Sequence, residues 1–123
     1  MRALFLAVAL SVPSVSFAAT TFTCVTSDNT VVVEENDGQL RYRSWNVPKG
    51  QSSKPDLEIK KGSVRFEGTG PCRHKIYSFL NGDYQYEVSP GLGCTDGSEP
   101  QGATGRLTVS KGESIVAQWW CAK

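Results

Sequence analysis

Lys75-Ile-Tyr-Ser-Phe-Leu-Asn81-Gly82-Asp-Tyr-Gln-Tyr-Glu-Val88 alternates large apolar and polar side chains on both sides of an Asn-Gly dipeptide, the signature of a β-hairpin. A two-residue turn at Asn81-Gly82 places Phe79 opposite Tyr84, Tyr77 opposite Tyr86 and Lys75 opposite Val88. Those side chains share one face, and Ile76, Ser78, Leu80, Asp83, Gln85 and Glu87 share the other. Aromatic cross-strand pairs contribute about 0.2 to 1 kcal/mol each, so the aromatic face is expected to be the inner wall of the core. The same count carries Cys72 close to Gly91, with Cys94 just beyond in a Gly-rich loop able to bend back.

Outward from this hairpin the pattern repeats in short runs. Candidate strands are Thr20 to Thr26, Thr30 to Glu35, Gln39 to Trp45, Leu57 to Lys60, Ser63 to Glu67, Arg73 to Leu80, Asp83 to Ser89, Arg106 to Ser110 and Ser114 to Cys121. Turn chemistry separates most of them: Ser27-Asp28-Asn29, Asn36-Asp37-Gly38, Lys61-Gly62, Asn81-Gly82 and Lys111-Gly112. No stretch holds a 3.6-residue apolar period, so the chain reads as one all-β domain of about eight strands. Two connections, Asn46 to Asp56 and Pro90 to Gly105, are longer than a hairpin needs. A small closed antiparallel barrel is the preferred architecture because closure removes exposed edges, and a two-layer sandwich is the alternative.

The amino end reads as a Sec signal peptide over residues 1 to 18: Arg2, an apolar run from Ala3 to Val12, and small residues up to Ala18. That run is too short to span a bilayer, which takes about 20 apolar residues. Cys24 lies near the expected cut, but Thr21-Phe22-Thr23 lacks the residues of a lipidation site, so a soluble, exported, non-lipidated protein is expected. The short signal and the absence of an Asn-x-Ser/Thr sequon point to a bacterial periplasmic or secreted protein. Of its 123 residues, 13 are Lys or Arg and 12 are Asp or Glu, so removal of Arg2 with the signal leaves a neutral chain. With no basic block, nucleic-acid binding through the phosphate backbone is not expected.

The 4 cysteines, at 24, 72, 94 and 121, form an even set in an oxidising compartment, which implies two disulfides. Their wide spacing does not suit zinc, and no metal or cofactor is expected. Three pairings are possible. The hairpin count favours Cys72 with Cys94, and elimination then joins Cys24 in the first strand to Cys121 in the last.

Nothing in the sequence assembles a catalytic set. His74 is the only histidine and begins a strand; Glu34, Glu35, Glu58, Glu67 and Glu87 are scattered; Gly68-Thr69-Gly70 precedes a Pro and no helix. Two surfaces are candidates for binding instead. One is the loop Asn46 to Asp56, carrying Lys49, Lys54 and two prolines in a part-stiffened projection beside Trp45. The other is Arg41, Arg43 and Trp45, alternating on one face of the third strand, a candidate patch for an acidic partner or a sugar; the alternative is two solvated arginines shielding one packed tryptophan. Trp119-Trp120 sends one ring inward with Ile115 and Ala117 and the other outward with Val116.

The mature chain opens on Phe22-Thr23-Cys24, runs Val-rich through Thr30 to Val33 and closes on Trp120-Cys121. In this layout it resembles the periplasmic C-type lysozyme inhibitors, small β-barrels with a disulfide linking their ends. Their Ser-Gly-x-x-Tyr signature has no counterpart here, so the resemblance implies an architecture and assigns no functional residue. The function expected is binding, as an inhibitor or immunity-type protein acting on another protein, such as a lysozyme-like or other envelope or secreted enzyme. A sugar or envelope-ligand module is the alternative, and a small hydrolase the third choice.

Overall fold

The computed structural model describes residues 20–122, so the signal-peptide assignment for residues 1–18 lies outside the described residues. Nine strands follow one another: β1 (Thr20–Val25), β2 (Asn29–Asn36), β3 (Gln39–Asn46), β4 (Leu57–Ile59), β5 (Gly62–Glu67), β6 (His74–Asn81), β7 (Tyr84–Pro90), β8 (Gly105–Lys111) and β9 (Ser114–Cys121). Each coincides with an expected strand to within about a residue at either end. They form two antiparallel sheets, one ordered β1-β2-β3-β4 and the other β5-β6-β7-β8-β9. The preferred closed barrel is corrected here: no ladder joins the sheets among the described residues, and the two-layer alternative describes the molecule. At one corner β4 stops after three residues and the chain crosses through Lys60-Lys61 into β5, the two being edge strands of different sheets. At the other corner only an isolated bridge, Val25 to Ala122, links β1 with the end of β9.

The β6–β7 hairpin keeps its expected faces and changes its pairing. Asn81 pairs with Tyr84, Phe79 with Tyr86 and Tyr77 with Val88, so the turn residues are Gly82 and Asp83. Gly82 adopts φ +60°, while Asp37 is the only non-glycine described residue with positive φ. A turn with one positive φ, at its first central position, suits Gly-Asp, and Asn81 is left to extend the strand. The pairing slides by two residues, an even number, and therefore leaves every side chain on its predicted face. Asp37-Gly38, with φ of 48° and 80°, forms the two-positive-φ turn between β2 and β3.

The core lies between the sheets. Val31, Val33, Leu40, Tyr42 and Ile59 from one layer meet Tyr77, Phe79, Val88 and Leu107 from the other, with the Tyr42 ring 5.3 Å from both Phe79 and Tyr86. Both expected disulfides are present: Cys24–Cys121, buried and joining β1 to β9, and Cys72–Cys94, which ties the loop after β7 to the segment before β6. At Gly105 a Cβ would come 2.3 Å from the Ser89 carbonyl oxygen and 3.0 Å from the Phe22 ring, so only glycine permits this close approach of β8 to β7. In β9 Val109 pairs with Ala117 and Ser110 with Ile115, making Val116 an extra, bulged residue. The bulge resets the alternation. Trp119 and Ala117 face inward, as expected, whereas Ile115, expected inward with them, lies with Trp120 on the outer face.

Candidate functional site

Alternation along β2 and β3 puts Val32, Glu34, Arg41, Arg43 and Trp45 on the outer face of the four-stranded sheet. An outer face ordinarily meets water, yet Val32 and Trp45 are each 1% exposed and Glu34 3%. A second layer of packing must cover them. Glu34 accepts from Arg41 Nη2 through Oε2 at 2.8 Å and from Arg43 Nη2 through Oε1. The Arg43 guanidinium also lies over the Trp45 ring, 5.1 Å from its centroid. Sequence reasoning weighed Arg41, Arg43 and Trp45 as a cationic and aromatic binding patch against two arginines shielding a packed tryptophan. The structure brings the three together, but their charge is turned onto a buried carboxylate and their indole lies beneath other residues.

What covers Trp45 is the loop Asn46 to Asp56. The indole Nε1–H donates to the Ser53 carbonyl at 2.8 Å, drawing the loop back over the sheet. Its two ends are pinned as well: the Asn46 N–H donates to Asp56 Oδ2 at 2.7 Å, and the Asp56 N–H to the Ser44 carbonyl at 2.8 Å. Lys49 Nζ donates to Asp56 Oδ1 at 2.7 Å across the loop, and the Val47 N–H reaches the Asp28 carbonyl at 2.9 Å. Lys49 and the Asn46 N–H together hold the Asp56 carboxyl below its ordinary value of 3.8, the Lys49 bond contributing most. The Val47-Pro48 peptide bond is cis. Lys49 is thus partly committed to bracing. Lys54 is exposed and, among the described residues, has no carboxylate within ion-pair distance, while Val47 at the other shoulder is 58% exposed.

A cleft of about 360 Å³ opens at the base of this loop, lined by Asn46, Asp56, Leu57, Tyr42, Trp119 and Val116 among others. Trp119 Nε1–H donates to Asp28 Oδ2 at 2.9 Å, so Asp28 ties the last strand to the loop through its side chain and its carbonyl. Burial, then the neighbouring Tyr86, pushes the Tyr42 phenol upward, so its hydroxyl stays protonated throughout the ordinary pH range. The bulged Val116, 57% exposed, forms an apolar lip to the cleft. Loop and cleft form one continuous surface: hydrogen-bonded backbone with exposed side chains beside an aromatic-walled recess.

His74 lies elsewhere, half-buried on the outer face of the five-stranded sheet, its Nδ1 3.1 Å from the Cys72 carbonyl oxygen. A carbonyl only accepts, so Nδ1 is the donor in this contact. Glu67 pairs with it across the β5–β6 ladder, and Arg65, Glu87, Arg106 and Trp120 share its face. Sequence reasoning weighed Glu67 and Glu87 only as scattered carboxylates and did not group them with Arg65 or Arg106. The register that joins them spans up to five strands, and no spacing along the chain encodes it. Among the described residues no three His, Cys, Asp or Glu side chains are grouped so as to hold a metal ion, and no helix is long and apolar enough to cross a membrane. Comparison of the chain with family models, curated proteins and solved structures finds no match to any of them.

Proposed function

We propose that this chain is an exported binding protein that engages another protein through the loop Asn46 to Asp56 and the cleft at its base, as an inhibitor or immunity-type protein does. The observation that carries the reading is the loop's construction. Its side chains are almost all exposed, while its backbone is held by Trp45, Ser44, Asp28 and Asp56. Association costs about 0.5 to 1.5 kcal/mol for each rotamer-rich side chain it immobilises, and ordering a loop adds to that. A loop ordered before contact avoids most of the backbone share. Val47 and Lys54 are the groups it presents; Val116 and the aromatic recess offer a place for a partner side chain. Two disulfides suit an oxidising periplasmic or extracellular setting. The resemblance of the sequence layout to the C-type lysozyme inhibitors makes a lysozyme-like enzyme the first partner to test.

The test is affinity capture by the mature, oxidised protein from envelope and secreted extracts, with c-type lysozyme as a defined bait, followed by titration of the captured partner. Val47→Ala and Lys54→Ala each weaken a true complex by about tenfold, or 1.4 kcal/mol, without moving the unfolding midpoint. A stoichiometric partner indifferent to both substitutions, or none at all, would overturn the reading.

A further inference from the structure

The outer face of the five-stranded sheet holds a second and larger concavity, a groove of about 600 Å³. Its floor comes from strict alternation. Tyr77, Phe79, Val88 and Leu107 point into the core, so their neighbours Ile76, Glu87, Arg106 and Thr108 point out. The Val116 bulge brings Ile115 onto the same face. One wall is the loop after β7, fixed by Cys72–Cys94, with Gly93 so close to His74 that a Cβ there would sit 2.8 Å from Nδ1.

Charge decides which ligands the groove suits. Arg65 donates to Glu87 at 2.5 Å and to Glu67 at 3.1 Å, so the two carboxylates are largely answered from within. The Arg106 guanidinium lies over the Trp120 ring at 4.1 Å, and among the described residues no carboxylate stands within ion-pair distance of it. Asp96, on the wall, offsets Arg106 at longer range. A polyanion finds no net attraction here, and a purely apolar ligand would strip water from arginines, carboxylates and the Gln118 amide. What fits is an uncharged molecule rich in hydroxyls with an apolar C–H face: the hydroxyls meet guanidinium, carboxylate and amide groups, and the C–H face meets Trp120. The volume lies inside the range of about 300 to 1,000 Å³ that small-ligand sites occupy.

We propose that this groove binds a short neutral oligosaccharide, with the side of the Trp120 ring not covered by Arg106 as the stacking surface and Arg106, Gln118 and the Arg65–Glu87 pair as hydrogen-bonding groups. The site is separate from the protein-binding loop, which lies over the outer face of the opposite sheet, so either proposal can fail alone. The experiment is a glycan array probed with the disulfide-intact mature protein, then titration with triacetylchitotriose, cellotriose, maltotriose and tri-galacturonate followed by tryptophan fluorescence and amide shifts. At least one neutral trisaccharide is expected to bind, with shifts confined to β5–β9 and the loop between β7 and β8. Trp120→Ala should weaken binding at least tenfold and Gln118→Ala, at an exposed position tolerant of change, about threefold. Lys54→Ala should leave it unchanged. Binding of the acidic sugar alone, neutral binding that survives both groove substitutions, or no neutral glycan bound anywhere on the array would each overturn the proposal.

Discussion

Trp45→Phe isolates the bond that draws the Asn46 to Asp56 loop onto the sheet. Phenylalanine keeps an aromatic ring in the buried site but has no N–H for the Ser53 carbonyl, now held at 2.8 Å. A neutral hydrogen bond of this kind is worth about 0.5 to 1.5 kcal/mol net. Ser53 is exposed and can regain water, so the cost is mainly the lost tether rather than a stranded acceptor. If about 1 to 1.4 kcal/mol of that falls on local opening, the open population rises roughly five- to tenfold. Trypsin reports it directly: the Lys49–Gly50 bond lies inside the loop, whereas Lys54 precedes Pro55 and is spared. When opening and reclosing are fast relative to cutting, the cleavage rate tracks the open population. Cleavage at Lys111–Gly112, in the β8–β9 turn, provides an internal standard. Cys24–Cys121 holds the pieces together, so fragments are read by mass after reduction. Cutting at Lys49 should rise five- to tenfold relative to Lys111. Unchanged cutting at both bonds would mean the indole does not hold the loop, and an equal rise at both bonds would mean the substitution acts on global unfolding.

Glu34→Gln removes the charge answering two arginines and should lower unfolding stability by about 2 to 4 kcal/mol in urea titration; a loss under 0.5 kcal/mol would refute the clamp. Replacing Cys24 and Cys121 by Ser should cost about 1 kcal/mol more than the same change at Cys72 and Cys94, because the loops closed span 97 and 22 residues; equal midpoints would contradict the chain-entropy account. Asp56 is lowered in the folded protein by Lys49 and by the Asn46 N–H, so its brace is complete above the ordinary value of 3.8 and is lost as pH falls below it through the folded value. The Asn46 amide resonance should therefore titrate with a midpoint under 3.8, and a midpoint at or above it would disprove the contact. Gly105→Ala should destabilise by about 1 to 3 kcal/mol or more through contact with the Ser89 carbonyl and Phe22; a neutral result by thermal unfolding would show that β8 can move away.

The strands were legible because alternation and turn residues act over two to six positions, the scale on which this chain is organised. Both disulfides followed from the hairpin, since register brings Cys72 toward the loop that carries Cys94. What was not legible depends on geometry beyond that scale. Asn-Gly signals a turn without saying whether Asn81 enters it, and the choice moved the pairing by two. A bulge leaves no mark in the alternation of Ser114 to Trp120, so Ile115 went to the wrong face. Barrel and sandwich differ only in whether edge strands pair. A packed Trp45 shielded by its arginines was within reach of alternation, but not the loop drawn over it by the bond to Ser53 eight residues on. The outer groove escaped notice because its polar residues are ordinary singly and converge only through five-strand register.

The Cys24–Cys121 bond has a mechanical consequence. It joins the edge strands of two different sheets, with Cα atoms 4.8 Å apart and a separation of 97 positions along the chain. A pull applied between the two ends of the described chain therefore loads one covalent crosslink and the few residues outside it, while both sheets stay slack. In a force-extension measurement the oxidised protein should lengthen only by those few residues. On reduction the same pull must shear β1 and β9 from their neighbours, releasing a contour of roughly 330 Å at about 3.4 Å per residue. A protein tethered at both ends would carry tension without deforming either binding surface for as long as its surroundings remain oxidising.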